Sequence, residues 1–219
     1  MVDREMLVLF DLDSTLVSIE GLDWLAAKKG FGEQVKLLTE KSMNGDIPFK
    51  EAFFQKANIL APSVEDMHLL SKEYCQNLVP GVKDTLNALK KYGCKVGIVT
   101  SNFRQAVLPI AKLLGIRTEL IYANDIIFDP KGAYLSMDIN NPLADNGGKA
   151  KIVQKIKAES IVFVGDSVTD LDVKPFVELF IGFGGIVERP VVKQSADAYV
   201  TDKNMLSILP LLNIEKKPN

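Results

Sequence analysis

The spacing of apolar and polar residues along the chain predicts a series of buried strands separated by helices. Residues 6–10 form an unbroken apolar run with charged residues on both sides. Such a run is typical of a fully buried strand and is too short to cross a membrane. Similar runs predict strands at residues 95–100, 119–123, 161–164 and 179–183. A turn containing Pro and Gly within residues 128–134 predicts a hairpin.

Helical spacing of apolar residues fills most segments between these strands. The predicted helices cover residues 22–39, the stretches after Pro48 and Ser63, a stretch from Val82 that Gly93 ends, residues 105–114 and residues 149–157. Strands that alternate with helices imply right-handed crossovers and a mostly parallel sheet covered on both faces. We therefore expect an α/β fold with three layers, a sheet between two layers of helices.

The segment between Ser14 and Pro80 carries helical patterns and no strand signal. It therefore predicts a small helical cap inserted after the first strand. We expect residues 1–14 and 80–219 to form the α/β core and residues 15–79 to form the cap. A chain of 219 residues is long enough for a core of this kind with a smaller insertion.

Composition and charge narrow the function classes. Apolar residues make up 47% of the chain and charged residues 25%, as in an ordinary globular protein. The 26 basic residues nearly balance the 28 acidic ones, which argues against binding to nucleic acid or to an anionic membrane. Cys75 and Cys94 lack the spacing of a redox or zinc site, and the N-terminus lacks a signal-peptide pattern. We expect a cytoplasmic protein with reduced thiols.

Polar residues follow three predicted strands at the point where each strand ends. In a parallel sheet, ligands bind outside the carboxyl ends of the strands, so these residues are expected to converge on one crevice. They are Asp11 and Asp13, Thr100 and Ser101, and Asp166 with Asp170.

Two carboxylates one residue apart on a buried strand are costly to desolvate, and their charges repel. Alone they are also compatible with a strand-ending turn in which one Asp caps a helix. Convergence of further carboxylates favours a Mg²⁺ ion together with a phosphorylated substrate. Asp11 suits a nucleophile that attacks phosphorus, and Asp13 suits a general acid and base. Asp166 would complete the Mg²⁺ site, and Lys149 would supply a fixed positive charge to the phosphoryl group.

Four segments resemble the motifs of the haloacid dehalogenase superfamily of Mg²⁺-dependent phosphatases. They are residues 11–15, Thr100, Lys149 and residues 165–170. The order and spacing of these motifs match across the whole chain. Within the superfamily, the chain is similar to the phosphoserine phosphatases at Glu20-Gly21, residues 43–50, residues 147–149, residues 181–185 and residues 199–202. The resemblance therefore implies a haloacid dehalogenase-like core.

The resemblance assigns roles to individual residues. It implies that Asp11 is the nucleophile and Asp13 the acid/base. It implies that Mg²⁺ is held by Asp11, the main-chain carbonyl of Asp13, and Asp166, with Asp170 in support. Glu20 would face the amino group of phosphoserine. The remaining implied substrate-binding residues are Met43, Phe49, Lys56, Thr100, Ser101, Lys149 and Thr169.

The chain departs from the family at two positions. Lys56 stands where the family usually has an Arg that grips the serine carboxylate, and Lys offers one mobile charge in place of a bidentate fork. Thr100-Ser101-Asn102-Phe103 stands where the family reads Ser-Gly-Gly-Phe, which narrows the room expected near the phosphate.

The predicted function is Mg²⁺-dependent hydrolysis of a small phosphomonoester, with O-phospho-L-serine as the leading substrate and serine biosynthesis as the implied context. One alternative is a related phosphatase, or a phosphotransferase that passes the phosphoryl group to an alcohol other than water. Another is a catalytically silent binding protein. Asp13 argues against the silent protein, because a binder needs no acid/base.

Overall fold

The structure is a computed structural model, and it describes residues 6–43 and 46–212. Its strands are β1 Met6–Phe10, β2 Lys95–Phe103, β3 Ile121–Asn124, β4 Ile126–Phe128, β5 Tyr134–Met137, β6 Ser160–Gly165, β7 Leu179–Phe183 and β8 Ala198–Val200. Its α-helices are α1 Gly21–Lys29, α2 Gly32–Met43, α3 Phe49–Leu60, α4 Val64–Gln76, α5 Val82–Lys91, α6 Arg104–Leu113, α7 Gly148–Val153, α8 Val168–Leu171 and α9 Pro190–Ser195. None of the helices in the described part of the chain is long and apolar enough to span a bilayer.

Six strands form one sheet in the order β3-β2-β1-β6-β7-β8, and every neighbouring pair is parallel. Alternate residues of β1 point to opposite faces. Val8 and Phe10 join one hydrophobic cluster, and Leu7 and Leu9 join the other. Because both faces are buried, every residue of the strand can be apolar, which is why its sequence does not alternate. The predicted three-layer α/β fold is confirmed.

The strand order reverses at β1, which places the ligand-binding crevice. The chain runs from β1 to its neighbour β2 and then outward to β3, and it later returns to β6 on the other side of β1. The carboxyl ends of β1, β2 and β6 therefore surround the switch point, where open α/β sheets bind their ligands.

Several predicted boundaries were wrong. The helix predicted over residues 22–39 is two helices, because Gly30 adopts a left-handed backbone (φ 79°) that ends α1. Strand β2 continues to Phe103, three residues beyond the predicted end. Helix α7 ends at Val153 and not at residue 157. The hairpin was predicted correctly, as β4 and β5 pair antiparallel.

Helices α1–α4 fill the segment predicted as a cap. The chain enters and leaves this segment side by side, since the Val79 N–H donates to the Leu16 carbonyl (3.0 Å) and Val17 bridges to Leu78. The division into a core of residues 1–14 and 80–219 and a cap of residues 15–79 stays a prediction.

Helix α4 is anchored at its first turn. The Ser63 hydroxyl accepts from the Asp66 N–H (3.1 Å), and the Asp66 carboxylate accepts from the Ser63 N–H (2.9 Å), which forms a capping box. Lys29 at the end of α1 donates to the same carboxylate (2.6 Å). Burial tends to raise the pKa of Asp66, but the Lys29 and Ser63 hydrogen bonds outweigh burial and lower it. One carboxylate thus caps α4 and ties it to α1.

Asp66→Ala is expected to lower the free energy of unfolding by about 1 kcal/mol at pH 7, because it removes half of the capping box. The folded-state pKa is depressed, so this contribution is present at neutral pH and is lost as pH falls below about 4. Urea unfolding of both proteins at several pH values measures the difference. Glu65→Ala, which removes an exposed first-turn carboxylate outside the capping box, is the control. An Asp66→Ala effect that persists unchanged at pH 3 would contradict this account.

Candidate active site

The turn after β1 places Asp11 and Asp13. The Asp11 N–H donates to the Val164 carbonyl (2.9 Å) and so continues the β1–β6 pairing by one residue. The chain then turns sharply, with the Leu12 carbonyl accepting from the Leu16 N–H (2.9 Å) and Ser14 in a left-handed backbone (φ 53°). A positive φ at a non-glycine residue is strained and is often found at functional sites. Both carboxyl groups line a cavity of about 230 Å³.

Three carboxylates meet beneath this cavity. Asp11, Asp166 and Asp170 are all buried, and each offers an oxygen within 4.8 Å of the others. Burial and then the charge of Asp170 raise the pKa of Asp11 well above its usual value, and Lys149 opposes this shift only in part. Burial and Asp170 likewise raise the pKa of Asp166 to about 6. The cluster therefore needs positive charge.

Lys149 supplies part of that charge. Its Nζ atom lies 2.8 Å from Asp11 Oδ1 and 2.6 Å from Asp170 Oδ1, and the side chain is buried. Burial alone would lower the pKa of Lys149, but the two carboxylates outweigh burial and raise it. The two preceding glycines are needed for packing and backbone geometry. Gly147 has a positive φ (66°), and a Cβ atom on Gly148 would lie 2.1 Å from the Pro142 carbonyl oxygen.

Arg189 was not predicted, and it is the second cation of the cluster. Its Nε atom donates to Asp166 Oδ2 (3.0 Å), and its Nη2 atom lies 3.9 Å from Glu20 Oε1. Arg189 follows β7, whose carboxyl end lies at the same edge of the sheet as those of β1 and β6. It lies beyond the glycines that follow β7, so it was not among the polar residues found at the predicted strand ends.

Asp13 has two unlike oxygens. Oδ2 accepts from the Gly21 N–H (3.2 Å) and from Asn102 Nδ2 (3.0 Å), whereas Oδ1 is buried with no hydrogen-bond partner among the described residues. Burial and then the charge of Glu20 raise the pKa of Asp13 to about 7, against hydrogen bonds from Asn102 and Tyr74. A carboxyl group poised near neutral pH suits a general acid and base.

The cap side of the cavity carries the predicted residues Glu20, Lys56 and Phe49. The Ser14 hydroxyl donates to Glu20 Oε1 (2.7 Å), which fixes that carboxylate at the rim. Burial lowers the pKa of the half-buried Lys56, although Asp23 and Glu20 act to raise it. The Phe49 ring stacks on Phe53 with ring centres 6.0 Å apart. The side chain of Met43, the last residue of α2, lies outside the described residues.

The structure brings most of the predicted site residues to one cavity. Those that line it are Asp11, Asp13, Glu20, Phe49, Lys56, Thr100, Ser101, Lys149, Asp166 and Thr169. Asp170 lies behind them, with its oxygens engaged by Lys149 and by the Ser167 N–H (2.9 Å). The sequence predicted only that Asn102 narrows the room near the phosphate. In the structure its side-chain amide also donates to Asp13.

The carboxylate cluster fits a divalent cation. Mg²⁺ prefers hard oxygen ligands, and Asp11 and Asp166 present theirs to the cavity. The raised pKa values of both residues show that Lys149 and Arg189 do not fully offset the buried negative charge. The Asp13 carboxylate is not part of the cluster, and a ligand role for its main-chain carbonyl stays a prediction.

Comparison with known proteins identifies the class. Residues 5–173 match the model of the haloacid dehalogenase-like hydrolases. The chain is 36% identical over 211 residues to the phosphoserine phosphatase of Drosophila melanogaster. This match covers 94% of this chain and 78% of the relative. It is 36% identical over 199 residues to the phosphoserine phosphatase of Bos taurus, with 89% and 88% coverage.

Solved structures agree with these relatives. A substrate-bound phosphoserine phosphatase complex superposes with a TM-score of 0.79 at 27% identity, covering 95% of this chain and 98% of the other. A phospho-aspartyl intermediate analogue of phosphoserine phosphatase superposes with a TM-score of 0.77, also at 27% identity and with 95% and 99% coverage. The chain belongs to the haloacid dehalogenase-like hydrolases and, among them, to the family of the phosphoserine phosphatases. The predicted enzyme class, a phosphoric monoester hydrolase, is confirmed.

Lys149→Gln is expected to lower the free energy of unfolding by about 3–5 kcal/mol, because it leaves two buried carboxylates without their shared partner. Urea unfolding followed by circular dichroism measures the change. Lys151→Gln is the matched control, since Lys151 lies exposed on the same short helix. Its substitution should change stability by no more than about 0.5 kcal/mol. Equal stability of the two variants would show that the buried ion pairs contribute nothing.

Proposed function

We propose that the chain hydrolyses O-phospho-L-serine to serine and phosphate, with Asp11 as the nucleophile and Mg²⁺ as the metal. The observation that carries the proposal is the division of one cavity into two ends. Lys149 and the buried carboxylates lie at one end, Glu20 and Lys56 lie at the other, and Arg189 lies between Asp166 and Glu20. The first end suits a phosphoryl group, and the second suits a group that bears both an ammonium and a carboxylate.

Asp11 attacks the phosphorus atom in the first step. A new bond forms between an Asp11 carboxylate oxygen and phosphorus, and the bond from phosphorus to the serine oxygen breaks. Lys149 favours the ionised form of Asp11 and lines the cavity, where it would meet the phosphoryl oxygens of a bound substrate. Thr100 and Ser101 on β2 line the same end of the cavity. The relative solved as a phospho-aspartyl intermediate analogue supports this route.

Asp13 moves the protons. In the first step it gives a proton to the departing serine oxygen, and in the second it takes a proton from the water that attacks the aspartyl-phosphate. The second step releases phosphate and restores Asp11. The Asp13 pKa of about 7 allows both roles near neutral pH.

Asp11 and Asp166 are the proposed Mg²⁺ ligands, together with the main-chain carbonyl of Asp13. When bound, Mg²⁺ offsets charge on the phosphoryl oxygens. Asp170 holds Lys149 and the Ser167 N–H and so supports the ligands from behind.

Charged side chains at the rim of the cavity would recognise the serine part of the substrate. Glu20 lies at the rim, where the Ser14 hydroxyl holds it by a hydrogen bond, and its negative charge suits an ammonium group. Lys56 and Arg189 both lie close enough to Glu20 to interact with it, so a carboxylate bound between them would sit next to the ammonium. A related phosphomonoester is the second candidate, because Lys56 holds a carboxylate less selectively than an Arg fork does.

Purified protein is expected to release phosphate from phosphoserine in the presence of Mg²⁺ and to stop when the metal is chelated. Asp11→Asn should abolish turnover, because an amide is a poor nucleophile and removes one charge from the metal site. A colorimetric phosphate assay measures both effects, and circular dichroism verifies that the variant is folded. A folded Asp11→Asn variant that retains more than about a tenth of the activity would rule out the aspartyl-phosphate route.

Glu20→Gln is expected to lower kcat/KM for phosphoserine about ten- to a hundredfold, because a hydrogen bond to a charged group is worth about 1.5–3 kcal/mol. The same substitution should spare glycerol phosphate, which lacks the amine. Lys56→Ala should act in the same direction, and Lys56→Arg should keep or improve turnover. Glu33→Gln, an exposed carboxylate on α2, is the control. If Glu20→Gln and Lys56→Ala leave phosphoserine kinetics unchanged, the substrate is another phosphomonoester.

A further inference from the structure

Asn102 and Tyr74 form a buried link that ends on Asp13. Asn102 Nδ2 donates to Asp13 Oδ2 (3.0 Å) and also lies 2.5 Å from the Tyr74 hydroxyl oxygen. Both side chains are buried. We propose that Asn102 and Tyr74 are positioning residues that orient the Asp13 carboxyl group so that Oδ1 delivers the proton to the leaving group. This proposal rests on the acid/base role given to Asp13 above.

The orientation of the Asn102 amide is determined by the backbone. Its Oδ1 atom accepts from the Phe103 N–H (2.8 Å), so the opposite end of the amide, Nδ2, must face Asp13 and Tyr74. An amide in this position can only donate to Asp13. Asn102 itself lies next to the last residue of β2, which pairs with β1 on one side and β3 on the other.

Donors on Oδ2 decide which oxygen of Asp13 carries the proton. Oδ2 accepts from the Gly21 N–H and from Asn102, so its lone pairs are engaged. A proton on the carboxyl group must then reside on Oδ1, the buried oxygen without a partner among the described residues. An unpaired buried oxygen is costly unless something else pairs with it, and the leaving oxygen of a bound substrate would do so.

The link also joins the predicted cap to the core. Tyr74 lies on α4 and Gly21 begins α1, whereas Asn102 and Asp13 belong to the core. Gly21 has no side chain, and a Cβ atom there would lie 1.9 Å from the Tyr74 hydroxyl oxygen. Because Gly21 has no Cβ, there is room for the Tyr74 hydroxyl at this position. The family that this chain resembles usually has a glycine in place of Asn102. Glycine has no side-chain amide, so it cannot form this link.

Kinetics on two kinds of leaving group test the proposal. Asn102→Ala is expected to lower kcat/KM for phosphoserine about ten- to a hundredfold, because kcat/KM reports the first step, in which Asp13 protonates the leaving oxygen. For p-nitrophenyl phosphate, whose leaving group needs little protonation, kcat/KM should change by less than about threefold. A role in packing alone would lower kcat/KM for both substrates equally.

Tyr74→Phe removes a single hydroxyl, so it keeps the proposal testable if Asn102→Ala does not fold. It should also slow phosphoserine more than p-nitrophenyl phosphate. Tyr134→Phe is the matched control, because the Tyr134 hydroxyl donates to Asn58 Oδ1 (3.0 Å) in a contact between β5 and α3 that does not touch Asp13. The control should leave the ratio of the two kcat/KM values unchanged.

The possible results separate this proposal from the proposed function. Selective loss with phosphoserine in Asn102→Ala or Tyr74→Phe supports positioning of Asp13. Equal loss with both substrates, a change in KM alone, or the same ratio change in Tyr134→Phe overturns it. If the unaltered protein does not hydrolyse phosphoserine, the proposed substrate is wrong. The kcat/KM ratio is then measured with glycerol phosphate as the alkyl ester.

Discussion

The ion pairs of Lys149 with Asp11 and Asp170 are the contacts on which the site depends. Three buried carboxylates each place an oxygen within 4.8 Å of the others. Desolvation and mutual repulsion both disfavour their charges, as the raised pKa values of Asp11 and Asp166 indicate. Lys149 carries one charge, and it can pair with two of these carboxylates only if the backbone brings it close to both. Gly147 and Gly148 allow this, because a residue without a side chain lets the start of α7 pack directly against Pro142.

The same electrostatic requirement explains why residues from distant parts of the sequence converge here. Asp11 follows β1, Asp166 follows β6 and Arg189 follows β7, and these strands end at one edge of a parallel sheet. Arg189 bridges the two ends of the cavity, since it donates to Asp166 and lies near Glu20. Arg189 therefore couples the charge of Asp166 to the charge of Glu20 at the rim. The carboxylate of a bound substrate would enter a group of side chains in which negative charge is already partly offset by Arg189.

Strand ends could be predicted from the sequence because apolar runs stop abruptly at polar residues, and the parallel sheet brings those ends together. Asp11, Asp13, Asp166 and Lys149 were found in this way or through their motifs. Tyr74 and Arg189 could not be found by the same means, because Tyr74 lies in the middle of an amphipathic helix and Arg189 lies beyond a glycine-rich turn. Their roles depend on tertiary contacts that periodicity does not encode. The break at Gly30 was missed because the helical pattern continues on both sides of it.

Three departures from local structural preference lie at this edge of the sheet. Ser14 has a positive φ, the Asp13 Oδ1 atom is buried without a partner among the described residues, and three carboxylates share one buried cluster. By contrast, the capping box of α4 and the fully apolar strand β1 are local choices that agree with the fold. A sequence that folds cooperatively tolerates such conflicts only where the rest of the structure holds them in place. The Asn102 amide is one of these restraints, because it holds Asp13 Oδ2 and so leaves Oδ1, the oxygen without a partner, to meet a ligand.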